Sequence, residues 1–370
     1  MIDNKDLEIS VLKGDKLFNQ NTPFIININT PKLTSAKKMC NADLICVIDI
    51  SGSMFGEKLA LLKKSLIILL KMMDEKDRLA LVLFSDDANI YCDLDYMTES
   101  RKNYFISKVN KLVPKGCTNI LSGLKKAVEI LKIIKAEKSD KRATSILLLS
   151  DGRDNCSNSS VSLLNGFKNL YNDEKLDFTL NTFGYEDDHD PEIMNQLANI
   201  RDGSFFYVQD YKKVSEYFVT VLGGCVSIIS KNVKVSIKLL NEHSQISKIF
   251  GEKDLYNHEL ELHIFKTEIL QLLCDKEYTY VMEIKLDEKK FKKGNEILYV
   301  EVLYKDMNNN RLKKKTFIYK YESKQINKKK ANEEYVRSQV YYILNEALKL
   351  REKNKVKESK CLINKYRRLD

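Results

Sequence analysis

The sequence lacks the segments that would direct a protein to a membrane or across one. Its N-terminus, MIDNKDLEIS, has neither the basic nor the apolar region of a signal peptide. Its most apolar stretches, such as SLIILLKMM, are interrupted by lysine and fall well short of the ~20 residues that span a bilayer. We therefore expect a soluble, cytoplasmic protein.

Paired metal-binding or disulfide-forming cysteines are also missing. The eight cysteines lie at positions 40, 46, 92, 117, 156, 225, 274 and 361, and no two have C-x-x-C spacing. This excludes a zinc ribbon and gives no support to a disulfide framework. The four histidines, at 189, 243, 258 and 263, are far in sequence from the serines considered below. An acyl-transfer site, which needs a base beside a serine, is therefore not expected.

The charge is uneven along the 370 residues. The chain carries a net charge of +10, and residues 324–370 contain 14 basic and 6 acidic side chains. Nucleic acid or a membrane surface could use such a segment. However, its charges alternate with apolar residues at helical spacing and have no aromatic stacking platforms, which favours a solvated helix face. We expect neither a nucleic-acid nor a membrane partner, and the sequence does not indicate an oligomeric state.

The order of apolar runs predicts an α/β fold with an additional β unit. From Ala42 to Gly224, apolar strands such as LICVI, RLALVLF and SILLLS alternate with amphipathic helices, which is typical of a doubly wound, mostly parallel sheet. Residues 225–323 read instead as strands separated by turns, typical of a β-sandwich-like domain. We predict that strands in residues 1–41 pair with this second β unit. Residues 324–370 should form a basic helical hairpin whose apolar face, including Val336, Val340, Ile343, Leu344 and Ala347, packs on it.

Three oxygen-bearing side chains follow the first buried strand of the α/β region. In VIDISGSM, Asp49, Ser51 and Ser53 occupy alternate positions, so their oxygens can converge on one point. Hard cations such as Mg²⁺ prefer oxygen ligands. The segment GCTNI, which leads into a helix, offers Thr118 at the same edge, and the apolar strand in LLLSDG ends in Asp151. Because ligands bind at the carboxyl ends of parallel strands, these five residues predict one magnesium site at that edge.

These motifs resemble the von Willebrand factor A domain with an intact metal-ion-dependent adhesion site. The resemblance covers about residues 42–223 and rests on DLICVIDISGSM, GEKLALLKKSL, DRLALVLFS, GCTNILSGLKKAVEIL and SILLLSDG. One departure is Cys117, where relatives often have a second glycine. The flanking segments also resemble intracellular proteins in which an A domain is inserted into a β unit. A ubiquitin-ligase branch of such proteins adds a cysteine-rich zinc domain, which this chain does not contain.

The resemblance implies a role for each site residue. Ser51, Ser53 and Thr118 would touch the metal, and Asp49 and Asp151 would hold it through bound waters. The metal would be Mg²⁺, with Mn²⁺ or Ca²⁺ as alternatives, and its open position would accept an Asp or Glu side chain of a partner protein. The loops around the metal would contact that partner through Met54, Asn119 and Gly152. No small-molecule substrate is expected.

Three other readings stay open from the residues alone. Asp49 could be a loop or capping residue without a metal. The protein could be a metal-independent scaffold that uses its β unit and basic tail. It could also be a Mg²⁺-dependent phosphoryl-transfer enzyme with Asp49 as acceptor, although phosphatases of that type have a second aspartate where Ser51 stands. The non-enzymatic reading is favoured.

Overall fold

A computed structural model describes residues 7–32, 40–137, 142–151, 154–156, 159–172, 176–185, 190–251, 259–260, 263–306, 311–322 and 327–366. The strands are β1 Glu8–Lys13, β2 Thr22–Asn29, β3 Asn41–Asp49, β4 Arg78–Phe84, β5 Ala88–Tyr96, β6 Arg142–Ser150, β7 Thr179–Tyr185, β8 Phe205–Val208, β9 Ile228–Leu239, β10 Ser244–Phe250, β11 Glu259–Leu260, β12 Ile264–Leu273, β13 Glu277–Leu286, β14 Glu296–Lys305 and β15 Leu312–Lys320. The helices are α1 Glu57–Met72, α2 Glu99–Asn110, α3 Ile120–Ala136, α4 Ser160–Tyr171, α5 Pro191–Ile200, α6 Tyr211–Val226, α7 Lys328–Glu352 and α8 Val356–Tyr366. Among the described helices, none combines the length and apolar character needed to cross a membrane.

The chain divides into two compact units. The α/β unit is built from the described residues of 36–231, and the β unit from those of 1–35, 232–306 and 311–370. The predicted class, α/β with additional antiparallel sheets and C-terminal helices, is confirmed. The division into segments 1–41, 42–224, 225–323 and 324–370 stays a prediction.

The α/β unit is organised around a six-stranded sheet of order β5-β4-β3-β6-β7-β8. The pairs β3–β4, β3–β6, β6–β7 and β7–β8 are parallel. Along β3, alternate residues face opposite sides of the sheet. Ile45 and Val47 join a buried cluster with residues of α3, α4 and α5, including Leu124 and Leu197. On the other side, α6 packs against β3 and β6, and α1 packs against α6.

Strand β5 departs from the parallel pattern. The sequence indicates a short strand at NIYC, whereas β5 covers Ala88–Tyr96 and runs antiparallel to β4. The reason is the connection: only three residues separate the two strands, and Ser85 N donates to Asp87 O across the turn. A crossover between parallel strands needs a dozen or more residues. A three-residue connection can therefore only form an antiparallel hairpin.

The β unit contains two sheets that share a core. Their strand orders are β1-β2-β13-β10 and β11-β12-β9-β14-β15. Strand β2 pairs antiparallel with both β1 and β13, so N-terminal strands lie in the same sheet as a strand about 250 residues later. Side chains from both sheets, such as Phe24 and Val300, belong to one buried cluster. The packing is that of two sheets facing each other across a common apolar layer.

Helix α7 packs on the β unit with a face that includes Ile343 and Ala347 of the predicted set and otherwise differs from it. Its buried positions recur every four residues and are Ala331, Tyr335, Gln339, Ile343 and Ala347. Of the predicted face, Val336, Val340 and Leu344 are between 38% and 49% exposed. Hydrogen bonds explain which face of the helix is buried. Glu283 of β13 is buried and accepts hydrogen bonds from Tyr335 Oη at 2.7 Å and Gln339 Nε2 at 2.8 Å. A buried carboxylate needs such donors, and they fix the rotation of the helix.

Candidate metal site

The carboxyl ends of β3 and β6 bring two of the predicted residues to one edge of the sheet. Ile48 and Leu149 are partners in the parallel register, so Asp49 and Ser150 are neighbours and Asp151 follows. Ser150 Oγ donates to Asp49 Oδ2 at 2.5 Å. Asp49, Ser150 and Asp151 are each 0% exposed. Two carboxylates are therefore buried next to each other at the end of the apolar strands.

The turn after β3 turns its hydroxyls toward one another. Ser51 has an extended backbone and precedes a short 3-10 turn, Gly52–Met54. Its amide donates to Asp49 Oδ1 at 2.8 Å, which closes an Asx turn. Its Oγ lies 2.9 Å from Ser53 Oγ. The two serine hydroxyls and the Asp49 carboxylate thus form a compact group of oxygens.

The loop before α3 is tied to this turn by backbone hydrogen bonds. Gly52 N donates to Gly116 O at 2.9 Å, and Lys115 N donates to Ile50 O at 2.6 Å. Gly116 has φ +73°, and a Cβ there would lie 2.0 Å from Asp86 Oδ2, so only glycine fits. At the end of the loop, Asn119 Oδ1 accepts from Ser122 N and caps α3. These bonds fix the position of the loop that carries Thr118.

Thr118 has a buried hydroxyl without a partner. The residue is 1% exposed, and among the described residues no group is within hydrogen-bonding distance of its Oγ1. Its carbonyl, by contrast, accepts from Asn155 N at 2.9 Å. An unsatisfied buried hydroxyl is unfavourable in a folded protein and calls for an explanation. A ligand role toward a cation supplies one.

Asp151 is paired with a lysine that the sequence analysis did not single out. Lys58 lies in the first turn of α1 and is 6% exposed. Its Nζ lies 3.2 Å from Asp151 Oδ2. The site thus combines two carboxylates, one ammonium group and several hydroxyls. Amphipathic patterning gave no signal for Lys58, because a lysine near the start of a helix is usually solvated.

Burial controls the electrostatics of Asp49. Loss of hydration raises the pKa of this carboxyl to about 6, hydrogen bonds from Ser150 and Ser51 oppose the rise, and the neighbouring Asp151 adds to it. The hydrogen bonds that this carboxylate accepts from Ser51 N and Ser150 Oγ come from uncharged groups. A bound cation would stabilise its charged form.

The available ligands suit a hard cation. Among the residues that the structure describes, no group of three or more His, Cys, Asp or Glu side chains could hold a metal. The oxygen set of two carboxylates and three hydroxyls is instead the kind that Mg²⁺ accepts together with water. The unpartnered Thr118 Oγ1 is the feature of this chain that fits such an ion best.

The three residues predicted to contact a partner differ in their surroundings. Met54 is 0% exposed, so its side chain packs in the core and is not available to a partner. Its neighbour Phe55 is 78% exposed and takes the surface position instead. Asn119 lies at the site but is committed to capping α3. Gly152 falls outside the described residues.

Comparisons with known proteins agree on the α/β unit. The family model of the von Willebrand factor type A domain matches residues 43–219. An uncharacterized protein of Synechocystis sp. is 24% identical over 252 residues, covering 66% of this chain and 57% of that protein. An inter-alpha-trypsin inhibitor heavy chain of Homo sapiens is 38% identical over 109 residues, covering 29% of this chain and 12% of that protein. The chain thus spans only part of these relatives.

A solved structure extends the likeness in fold. The von Willebrand factor type A protein from Catenulispora acidiphila has a TM-score of 0.66 at 13% identity. The match covers 86% of this chain and 74% of that one. At this identity the comparison establishes the fold and not the activity.

Proposed function

Because residues 43–219 form a von Willebrand factor type A domain, we propose that this protein is a non-enzymatic interaction module whose metal site binds an acidic side chain of a partner protein. Such domains generally mediate protein–protein interaction or adhesion. In this protein, a magnesium ion and a carboxylate of the partner would meet at this site. A cytoplasmic location is part of the same proposal.

Five residues would hold the ion. Ser51, Ser53 and Thr118 would be direct ligands, with Asp49 and Asp151 acting through water. When bound, Mg²⁺ would supply a Lewis-acidic centre for a carboxylate oxygen. The protein positions its own groups in advance: the Asx turn fixes Ser51, and the bonds from Gly52 and Lys115 fix the Thr118 loop.

The observation that carries the proposal is the unpartnered, buried Oγ1 of Thr118, on a loop that backbone hydrogen bonds tie to the turn after Asp49. A purely structural turn would be expected to satisfy this hydroxyl, since buried polar groups without partners cost free energy. A site that waits for a cation would leave it unsatisfied.

The phosphoryl-acceptor reading fits the geometry less well. Asp49 is fully buried, and each of its oxygens accepts a hydrogen bond, from Ser51 N and from Ser150 Oγ. A nucleophilic carboxylate has to reach the phosphorus atom of a substrate. Asp49 is instead held within the turn, which suits a group that orients water around a metal.

The test is thermal unfolding with Mg²⁺ and with chelator. We expect Mg²⁺ to raise the midpoint of the wild type, because an ion that binds only the folded state stabilises it. Asp49→Ala should abolish that shift. Asp87→Ala is the matched control, because Asp87 is an exposed carboxylate in the β4–β5 turn and its removal tests weak surface binding of Mg²⁺. Equal shifts in the wild type and Asp49→Ala would reject the site.

A further inference from the structure

Lys58 adds a positive charge to a site that would bind a cation. Its ammonium group is buried with Asp151, at 3.2 Å, and the side chains of the two residues are 8% and 0% exposed. Burying an ammonium group is costly, even when it is paired with a carboxylate. An adhesion site that needed only tight metal binding would gain from an uncharged residue here. The presence of Lys58 therefore needs a reason.

The combined charge of Asp49, Asp151 and Lys58 suggests why a lysine is present at this position. With both carboxylates ionised, Asp49, Asp151 and Lys58 together carry a charge of about −1, since two negative groups face one positive group. A divalent cation would bring this set to about +1. With a neutral residue in place of Lys58, the same set would be neutral after metal binding. Lys58 thus decides whether the loaded site is cationic.

We propose that Lys58 couples metal binding to ligand binding: it weakens the hold on the metal alone and leaves the loaded site with a net positive charge that a carboxylate of the partner neutralises. This inference rests on the proposed function and concerns the selection of an anionic ligand. The ammonium group repels the cation and attracts the incoming carboxylate. Metal and carboxylate should therefore each strengthen the binding of the other, as linked binding requires.

The fold supports a fixed position for this charge. Lys58 is the second residue of α1, and this helix begins shortly after the turn that carries Ser51 and Ser53. Leu59 and Leu62 of the same helix are buried, which anchors its first turns. An ammonium group held in this way acts as a constant local charge, because little water screens it.

A structural role for Lys58 makes a different prediction. If the lysine only neutralises Asp151, its removal should destabilise the protein and leave metal affinity unchanged or lower. If it sets the charge of the site, removal of the ammonium group should make metal binding tighter. The direction of the change in metal affinity separates the two roles.

The test is calorimetric titration of the full chain with MgCl₂ and with MnCl₂, in the absence and presence of acetate as a carboxylate probe. We expect Lys58→Gln to bind the metal about tenfold more tightly than the wild type, because a unit charge near a divalent ion is removed. We also expect acetate to strengthen metal binding in the wild type and to do so less in Lys58→Gln. Lys58→Arg should resemble the wild type.

The matched control is Lys71→Gln. Lys71 is exposed in the last turn of α1, so this variant removes the same charge from the same helix but well away from the site. Its metal affinity should equal that of the wild type. A change as large as that of Lys58→Gln would overturn the inference, because net charge alone would then explain the effect.

Destabilised variants stay informative through their melting midpoints. The difference between the midpoints in Mg²⁺ and in chelator should be larger for Lys58→Gln and Lys58→Met than for the wild type. An equal or smaller difference, or an unchanged titration, would overturn the role of Lys58. Failure of every protein, including the wild type, to bind either ion would instead reject the proposed function.

Discussion

Strand β3 carries a buried aspartate near each of its ends, and the two carboxylates have opposite surroundings. Asp43, near the start, accepts from Arg78 Nε and Nη2, both at 2.8 Å, and from Arg142 Nε at 2.6 Å. Asp49, at the end, accepts from the Ser51 amide and the Ser150 hydroxyl. Both residues are 0% exposed. One carboxylate is thus neutralised by guanidinium groups, and the other has only uncharged donors.

The difference separates a structural site from one that can exchange a ligand. Two arginines form charge-assisted bonds to Asp43 from positions in the same unit. The hydrogen bond to Asp43, followed by that to Glu137, raises the pKa of Arg78 above its usual range despite burial. Asp49 instead accepts hydrogen bonds from the uncharged Ser51 amide and Ser150 hydroxyl, and the hydroxyl of Thr118 has no partner among the described residues. A cation that enters from solvent can satisfy both.

The substitution Asp43→Asn tests whether Asp43 is a structural carboxylate that arginines neutralise. The change leaves the buried guanidinium groups of Arg78 and Arg142 without their carboxylate, which should lower the free energy of unfolding by about 3–5 kcal/mol. Because no exchangeable ion is involved, the loss should be the same in Mg²⁺ and in chelator. Urea denaturation under both conditions measures it.

The control for that experiment is Asp95→Asn. Asp95 forms an ion pair with Arg101 on the surface, where the two side chains are 32% and 44% exposed. Such exposed pairs contribute about 0–1 kcal/mol. A loss in Asp43→Asn no greater than that of the surface variant, or a loss that depends on Mg²⁺, would contradict the assignment of Asp43 as a structural carboxylate.

The second prediction concerns pH in the absence of metal. Burial raises the pKa of Asp49 from 3.8 to about 6, so the folded state holds this proton more tightly than the unfolded state. Metal-free protein should therefore lose roughly 3 kcal/mol of stability from this group as pH rises from about 4 to about 6, with no further change above that. Asp49→Asn should not show this loss.

The measurement is the difference in free energy of unfolding between Asp49→Asn and the wild type, taken in chelator across that range. Stabilities that stay parallel from pH 4 to 7 would show that Asp49 ionises in the folded state as easily as in water. The comparison with Asp43 would then lose its electrostatic basis.

The sequence predicted the α/β unit well because its signals are local. Apolar strand runs and amphipathic helices are visible in short windows of the sequence, and so is the start of α5, where Asp190 caps a helix that begins with proline. From the sequence we predicted that Asp49, Ser51, Ser53, Thr118 and Asp151 lie together at one edge of that sheet. That edge is where parallel strands bring their ends together.

The signals that failed depend on long-range contacts. The face of α7 was predicted only in part: Ile343 and Ala347 are buried, but Glu283, distant in sequence, selects Tyr335 and Gln339. Lys58 was missed for the same reason: only the folded structure shows that its ammonium group lies 3.2 Å from Asp151 and not in solvent.

The substitution with the smallest expected effect on stability is at Thr118, and it is the most specific test of the proposed metal site. Thr118→Val removes the unpartnered hydroxyl and keeps the shape of the side chain. In chelator it should leave stability unchanged or raise it by about 1 kcal/mol, because an unsatisfied buried group is lost. In Mg²⁺ it should lose the stabilisation that the wild type gains, because a ligand oxygen is missing. Thr118→Ser, which keeps the hydroxyl, should retain most of that gain.

Thr182 provides the matched control for Thr118 within the same unit. It is also buried, but its Oγ1 donates to Met194 O at 2.9 Å. Thr182→Val should therefore cost about 1 kcal/mol in chelator and in Mg²⁺ alike, because a carbonyl loses its donor. If Thr118→Val were as costly as Thr182→Val in chelator, its hydroxyl would have a partner within the protein. The polar groups at the end of β3 would then be satisfied within the protein, as the Asp43 carboxylate at its start is. A cation would have no unsatisfied oxygen to bind there.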